Sequence, residues 1–133
     1  MTFSAAAPSL DDIEALARQA WEAMPAAFRQ LASGIIFRLE ELADEEVLAE
    51  LEIDDPFELT GLYQGVDLTQ QSIADPRPST PIVFLYRRAI LDEWIERGDV
   101  SLSDLVAHVL VHEVGHHFGL SDEQMDEILE RAD

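Results

Sequence analysis

Two histidines and a glutamate stand close together near the end of the sequence, at His112, Glu113 and His116. Residues four apart on a helix have Cβ atoms about 5–6 Å apart. Two imidazoles at that separation can bind one Zn²⁺ ion at roughly 2.0–2.1 Å per bond. Glu113 then lies beside the ligands, where it can accept a proton from a metal-bound water and pass it to a leaving amine. The pattern therefore predicts a zinc-dependent hydrolytic site with Glu113 as general base.

The segment that carries these residues has the pattern of a buried helix. Ser101 is a typical N-cap, and the helix is predicted to run from Leu102 to about Phe118. Glu113 falls in the middle of an apolar arc, and the two histidines fall on its edge. The arc consists of Leu105, Val106, Val109 and Leu110. A carboxylate in apolar packing is costly unless it is paired or bound, so a metal with its water would explain Glu113.

The third ligand is expected just after this helix. Gly119 permits the left-handed turn that ends a helix, so that the chain can return toward the metal. Asp122, six residues after His116, is then placed to bind the ion. Its alternative role is an ordinary acid in the first turn of a last helix. Glu123 and Asp126 are further candidates for the ligand.

Other polar residues near the motif have open roles. His117 points about 100° away from His116 and is expected to be structural or to line the cleft. His108 stacks one turn before His112, and we also expect a structural role for it. Tyr63 and Tyr86 either pack against neighbours or donate a hydrogen bond to the developing oxyanion.

The rest of the chain predicts an α+β fold, in which a small sheet of about three strands packs against helices. Strands are expected at residues 34–40, 60–68 and 82–86, with a loop at 69–81. The run at 82–86 is almost continuously apolar and predicts an interior strand, so that the other two form the edges. Helices are expected after the N-cap Ser9, after Pro25, at 44–51, at 88–97 and after Ser121. Five residues of the short helices are predicted to face inward, namely Phe28, Leu31, Val47, Leu48 and Leu51.

Length and composition indicate one domain. The 133 residues, 47% of them hydrophobic, suit a single core spanning residues 1–133, with a flexible segment at 1–8. No apolar run approaches the roughly 18 residues that cross a bilayer, and no secretory signal is evident. There is no cysteine, so any metal ligands must be His, Asp or Glu. We therefore expect a cytoplasmic protein.

The charge is strongly negative, at −20. Such a surface repels nucleic acid and anionic membranes, because both need positive charge to neutralise phosphate. Residues 40–58 contain ten acids and no base. This segment is either a solvated face that keeps the protein soluble or a docking surface for a basic partner.

The sequence from His112 to Asp122 resembles the long zinc motif of metzincin peptidases, in the variant with Asp as the third ligand. It is more closely similar to the small bacterial zincin-like family of minimal matrix-metalloproteinase-like domains. Residues 61–66 and 81–87 resemble the strand pair that precedes the active-site helix in that family. The resemblance implies a metallopeptidase fold, Zn²⁺ on His112, His116 and Asp122, and Glu113 as general base.

The sequence thus predicts a zinc-dependent metallopeptidase that acts on a peptide or protein substrate, in which the metal-bound water attacks a peptide carbonyl. Two alternatives stay open. One is a non-catalytic zinc-binding module whose acidic face docks a basic partner. The other is a hydrolase of a non-peptide amide. The oligomeric state and the preferred substrate do not follow from the sequence.

Overall fold

The computed structural model describes residues 7–65, 80–121 and 123. In these residues, five α-helices, one short 3₁₀ helix and three strands form an α+β domain, which confirms the predicted fold class. The helices are α1 (Leu10–Ala23), α2 (Ala26–Leu31), α3 (Glu45–Glu50), α4 (Arg87–Arg97) and α5 (Leu102–His117), with the 3₁₀ helix at Pro56–Glu58. The strands are β1 (Ile36–Glu40), β2 (Gly61–Gln64) and β3 (Ile82–Tyr86).

The sheet is mixed, with β3 in the centre of the order β1-β3-β2. β3 runs parallel to β1, with Ile36 opposite Ile82, and antiparallel to β2, with Gly61 opposite Leu85. Val83 and Leu85 are fully buried, as expected for an interior strand with an almost continuous apolar sequence. The predictions of an interior β3 and of two edge strands are therefore confirmed.

The two faces of β3 belong to different apolar clusters. Val83 and Leu85 join the main core, which is shared with α1 and α5. Tyr86 lies in a second cluster with Ala43 and Ala89, and Phe84 packs against it. Because α5 contacts α1, β2 and β3, the helix that carries the histidine motif is held against the sheet along its apolar side.

The start of α1 follows the predicted capping. The Ser9 hydroxyl accepts a hydrogen bond from the Asp12 N–H at 3.1 Å, and the Asp12 carboxylate accepts one from the Ser9 N–H at 2.9 Å. This reciprocal pair satisfies two of the backbone donors that a helix start leaves without a partner. The helix then buries Ile13 and Ala17 in the main core, which fixes α1 against α5.

Three of the residues that were predicted to face inward do not. Phe28, Leu31 and Leu51 are 38%, 60% and 44% exposed. Phe28 and Leu31 belong to α2, and Leu51 is the C-cap residue that follows α3. Both helices are only six residues long and contain no buried residue. Helices this short present less than two turns to the core. In α3, Val47 and Leu48 take that place and pack partly buried against the second cluster, as predicted.

Several element boundaries differ from the prediction. The first strand begins at Ile36 rather than at residue 34, and a 3₁₀ helix forms at Pro56–Glu58, between the predicted helix at 44–51 and the predicted strand at 60–68. Residues 66–79, which include most of the predicted 69–81 loop and the end of the predicted 60–68 strand, lie outside the described residues. The predicted flexible residues 1–6 and most of the predicted last helix lie outside them as well. Within the described residues, no helix is long and apolar enough to cross a membrane.

Candidate metal centre

The helix α5 begins and ends where the sequence predicts. The Ser101 hydroxyl accepts a hydrogen bond from the Asp104 N–H at 3.0 Å. At the other end Gly119 has φ +75°, and its N–H donates to the His116 carbonyl at 3.0 Å. The Leu120 N–H donates to the Gly115 carbonyl at 3.1 Å. These two bonds form a Schellman motif, so the chain turns sharply just after the second histidine of the motif.

The side chains of His112, Glu113 and His116 converge. One potential ligand atom from each residue lies within 4.8 Å of the others. The two imidazole rings have centroids 5.1 Å apart and are nearly perpendicular, at 87°. Imidazole nitrogen and carboxylate oxygen are the donors that zinc takes in cysteine-free sites. The donor set and its spacing therefore fit a metal ion.

The predicted burial of this motif is confirmed. Glu113 is only 9% exposed, whereas His112 and His116 are partly buried. The carboxylate thus projects into the apolar side of α5, and the two imidazoles lie at its border. The motif thus combines one buried carboxylate with two partly buried imidazoles.

Room for Glu113 depends on Gly61 in β2. A Cβ atom at position 61 would lie 3.0 Å from Glu113 Cγ, 2.8 Å from Val109 Cγ1 and 3.2 Å from the Phe84 carbonyl oxygen. Side chains rarely approach so closely, so the edge strand and α5 can pack here only around a glycine. In the sequence, Gly61 stands near the start of the predicted strand at 60–68. Its close approach to Glu113, which stands 52 positions later in the chain, produces no pattern in the sequence around Gly61.

His117 and Tyr63 join α5 to the same edge strand. His117 is 3% exposed, and its Nδ1 shares a hydrogen bond of 2.8 Å with the Tyr63 hydroxyl. The two rings also meet edge to face at 5.6 Å. The structural role expected for His117 is thereby confirmed, and Tyr63 holds β2 to the end of the helix directly beside His116.

Tyr86 lies on the opposite face of the sheet from the main core and is 1% exposed. Burial raises the pKa of its phenol well above the ordinary value, and the nearby carboxylates of Glu40, Asp44 and Glu113 raise it further. The phenol therefore keeps its proton at physiological pH.

A cleft of about 240 Å³ opens beside the motif. Its walls come from the 3₁₀ helix and the residues after it, the start of β2, the second half of α4, and both buried and exposed residues of α5. Ten residues line it: Glu58, Leu59, Thr60, Gly61, Glu93, Arg97, His108, Val109, His112 and Glu113. His108 stacks on His112 with ring centroids 6.3 Å apart, but it does not belong to the converging group of three.

The candidates for a third ligand lie at the border of the described residues. Glu123 is described and exposed, whereas Asp122 and Asp126 lie outside the described part of the chain. All three candidates follow the left-handed turn at Gly119 in the chain.

The comparisons agree with this geometry. A family model described as zincin-like metallopeptidase matches residues 32–131. The match includes β1, β2, β3, α5 and the whole histidine motif. No curated protein matches the sequence.

Proposed function

The chain belongs to the zincin-like metallopeptidase family, and from this membership we propose that it is a zinc-dependent peptidase. The proposed metal ligands are His112, His116 and Asp122, and the proposed general base is Glu113. We base this on one observation above all: the side chains of the histidine motif converge within 4.8 Å inside the segment that the family model matches.

The roles of the residues follow from their chemistry. When bound, zinc polarises a carbonyl and lowers the pKa of water toward about 7. Glu113, held beside the imidazoles, accepts a proton from the attacking water and donates it to the leaving amine. Glu113 lines the cleft together with Val109 and His112. His112 and His116 each contribute one nitrogen to the metal.

Asp122 completes the proposed ligand set. Two imidazoles leave a tetrahedral zinc ion without the third protein ligand that catalytic sites have. Asp122 stands three residues after Gly119, and the left-handed turn at Gly119 supports a return of the chain toward the histidines. We further propose that the site is of the metzincin-like type, with Asp in place of a third histidine.

The ligand set is tested by metal content. Purified protein should carry about one zinc per chain, measured by mass spectrometry of metals. Asp122→Ala should lower zinc affinity at least about tenfold, because a missing ligand weakens coordination directly. Glu123→Ala and Asp126→Ala are the matched controls and should keep the metal. Loss of zinc in either control with retention in Asp122→Ala would assign the ligand to the control position instead.

The role of Glu113 is tested separately. Glu113→Gln keeps the shape of the side chain but cannot take up a proton, so zinc should be retained while turnover of a peptide library falls by about 10²–10⁴. Asp104→Asn, an exposed acid in the first turn of the same helix, is the control and should keep full turnover. Full turnover in Glu113→Gln would remove Glu113 from the mechanism.

The same peptide library also distinguishes the proposed peptidase from two other candidate functions. Exposed acids are concentrated on α3 and the segment after it, which favours a non-catalytic module with an acidic docking face as the second candidate. That module would lose thermal stability with a chelator and leave the peptide library uncut. Chelator-sensitive hydrolysis of small amides without peptide cleavage would instead indicate an amidohydrolase.

A further inference from the structure

A groove lies between α1 and β1, at the edge of the sheet opposite β2. Its volume is about 470 Å³, and it shares no lining residue with the cleft beside the histidine motif. The floor and walls are mostly apolar and include Leu10, Ala17, Trp21, Phe37 and Leu39. The groove therefore offers an apolar surface that is separate from the proposed catalytic site.

Two aromatic rings form one part of this surface. Trp21 and Phe37 meet edge to face with centroids 5.3 Å apart and an interplanar angle of 61°. Both side chains are only partly buried and pack against the main core on their inner side. Partly exposed aromatic side chains in a concave site are typical anchors for an apolar side chain of a partner.

The backbone of β1 borders the same groove. The Ile36 N–H donates to the Pro81 carbonyl, and the parallel register pairs β1 with β3 from Ile36 to Glu40. In a parallel ladder, alternate residues bond to one neighbour, so the N–H and C=O groups of Phe37 and Leu39 point to the other side. No described strand lies on that side. The residues whose side chains line the groove thus also present an open sheet edge.

The charge at the groove is negative. Asp11 and Glu14 line it from α1, and the lining base, Arg18, already pairs with Glu14 at 2.8 Å. Asp11 has no cationic partner among the described residues. With a net charge of −20 on the whole chain, the surrounding potential attracts cations.

We propose that this groove binds an extended segment of a partner protein that carries a large apolar side chain with a lysine or arginine two residues away in each direction, on the same side of the strand. The segment adds to the free edge of β1 through the backbone groups of Phe37 and Leu39, a recognised mode of peptide binding. Its apolar side chain fills the space beside Trp21, and its bases face Asp11 and Glu14. This proposal does not depend on the proposed peptidase function, because the two surfaces share no residue.

The two ends of this chain lack the positive charge that would complement the acidic groove. Residues 1–6 contain no lysine or arginine, and residues 124–133 contain four acids against one arginine. Neither offers an apolar side chain between two bases. The chemistry of the groove thus favours a basic partner over a segment of its own chain.

The test uses a blocked heptapeptide Thr-Lys-Thr-Leu-Thr-Lys-Thr as probe, in which the leucine and both lysines lie on one face of an extended strand. It is titrated into the full chain carrying Glu113→Gln so that the probe is not cut. We expect saturable binding by calorimetry and slower hydrogen exchange of the Phe37 and Leu39 amides, by about tenfold or more at saturation. Unchanged exchange at both amides would exclude strand addition and overturn the proposal.

Charge variants separate this groove from general attraction to an acidic protein. Asp11→Asn with Glu14→Gln should weaken binding by about tenfold, whereas Glu50→Gln with Asp54→Asn, an equal change of charge in the 40–58 segment, should weaken it less than about twofold. Equal losses in both pairs would mean non-specific attraction and overturn the proposal. Binding that appears only after deletion of residues 1–6 would identify the chain itself as the occupant, and would also overturn it.

Discussion

The side chain of Glu113 occupies space that only glycine at position 61 leaves open. Two independent elements, the buried side of α5 and the first residue of an edge strand, meet at this point. An added Cβ at position 61 would lie 3.0 Å from Glu113 Cγ and 2.8 Å from Val109 Cγ1, and a ligand atom of Glu113 lies within 4.8 Å of those of the two histidines. A general base must stay within hydrogen-bond reach of the proton that it takes, so the fit between Gly61 and Glu113 contributes to the proposed chemistry as well as to packing.

Gly61→Ala should therefore impair both stability and turnover. Its Cβ would stand 2.8 Å from Val109 Cγ1 and 3.0 Å from Glu113 Cγ, and such overpacking typically costs about 1–3 kcal/mol of unfolding free energy. Urea denaturation measures the first effect, and peptide-library hydrolysis the second. Gly34→Ala is the matched control, since nothing lies within 4 Å of its added Cβ. Equal stability of the two variants would show that the sheet relaxes freely at position 61.

Loss of the hydrogen bond between Tyr63 and His117 should also lower the stability of the protein. Tyr63→Phe leaves the polar nitrogen of a histidine that is 3% exposed without the phenol at 2.8 Å. Loss of one partner of a buried polar group costs about 1–3 kcal/mol. We expect a decrease of that size in the urea-derived unfolding free energy. A variant as stable as the original protein would mean that other groups satisfy His117.

The raised pKa of Tyr86 predicts loss of stability at alkaline pH. Above pH about 10 the unfolded chain gives up this proton, while burial keeps the folded phenol protonated, so unfolding is favoured as the pH rises. The chain has no lysine and no cysteine, so tyrosine is the side chain whose ordinary pKa falls in this range. Urea unfolding between pH 9 and 11 should show a decline that is markedly shallower in Tyr86→Phe. The same decline in both proteins would assign it to Tyr63.

At the scale of elements, the end of α5 is set by a single glycine. Gly119 has φ +75°, a conformation that costs other L-residues about 1–2 kcal/mol. Gly119→Ala should lower the unfolding free energy by about that amount, and Gly119→Asn should lower it less, since asparagine tolerates this conformation. Chemical denaturation of the two variants checks the order. The zinc affinity should fall in the same order if the turn brings Asp122 to the histidines.

Local sequence patterns predicted the elements better than the contacts between them. The caps at Ser9 and Ser101, the apolar run of β3 and the inward position of Glu113 all follow from spacing within one segment, and all are found. The exposure of Phe28, Leu31 and Leu51 was missed, because the burial of a short helix depends on what other elements leave uncovered.

In the candidate site too, features within one element could be predicted from the sequence, whereas contacts between elements could not. The convergence of His112, Glu113 and His116 is a property of one helix and could be predicted from their spacing. The contact of Glu113 with Gly61 and the bond of His117 to Tyr63 cross from α5 to β2. They could not be predicted, because they depend on how the helix lies against the sheet. The assignment of Asp122 stays a prediction.

At the scale of the whole molecule, the net charge of −20 destabilises the folded state. Most acids in residues 40–58 are exposed, and Glu41 is paired, with Arg87 at 3.0 Å. Like charges that are gathered on a compact surface repel one another, and this repulsion is relieved when the chain unfolds. The acidic segment thus adds electrostatic repulsion that lowers the stability of the folded state.

This repulsion predicts that salt stabilises the protein. The screening length falls from about 30 Å at 0.01 M to about 8 Å at 0.15 M ionic strength, which is short compared with the dimensions of the domain. The midpoint of thermal unfolding, followed by circular dichroism, should therefore rise by about 2–6 °C over this range of sodium chloride. Glu50→Gln with Asp54→Asn, which brings the charge from −20 to −18, should unfold at a higher temperature in low salt and gain less from added salt. An unfolding temperature that falls with salt would instead mean that attractive pairs such as Arg87–Glu41 outweigh the repulsion among the acids.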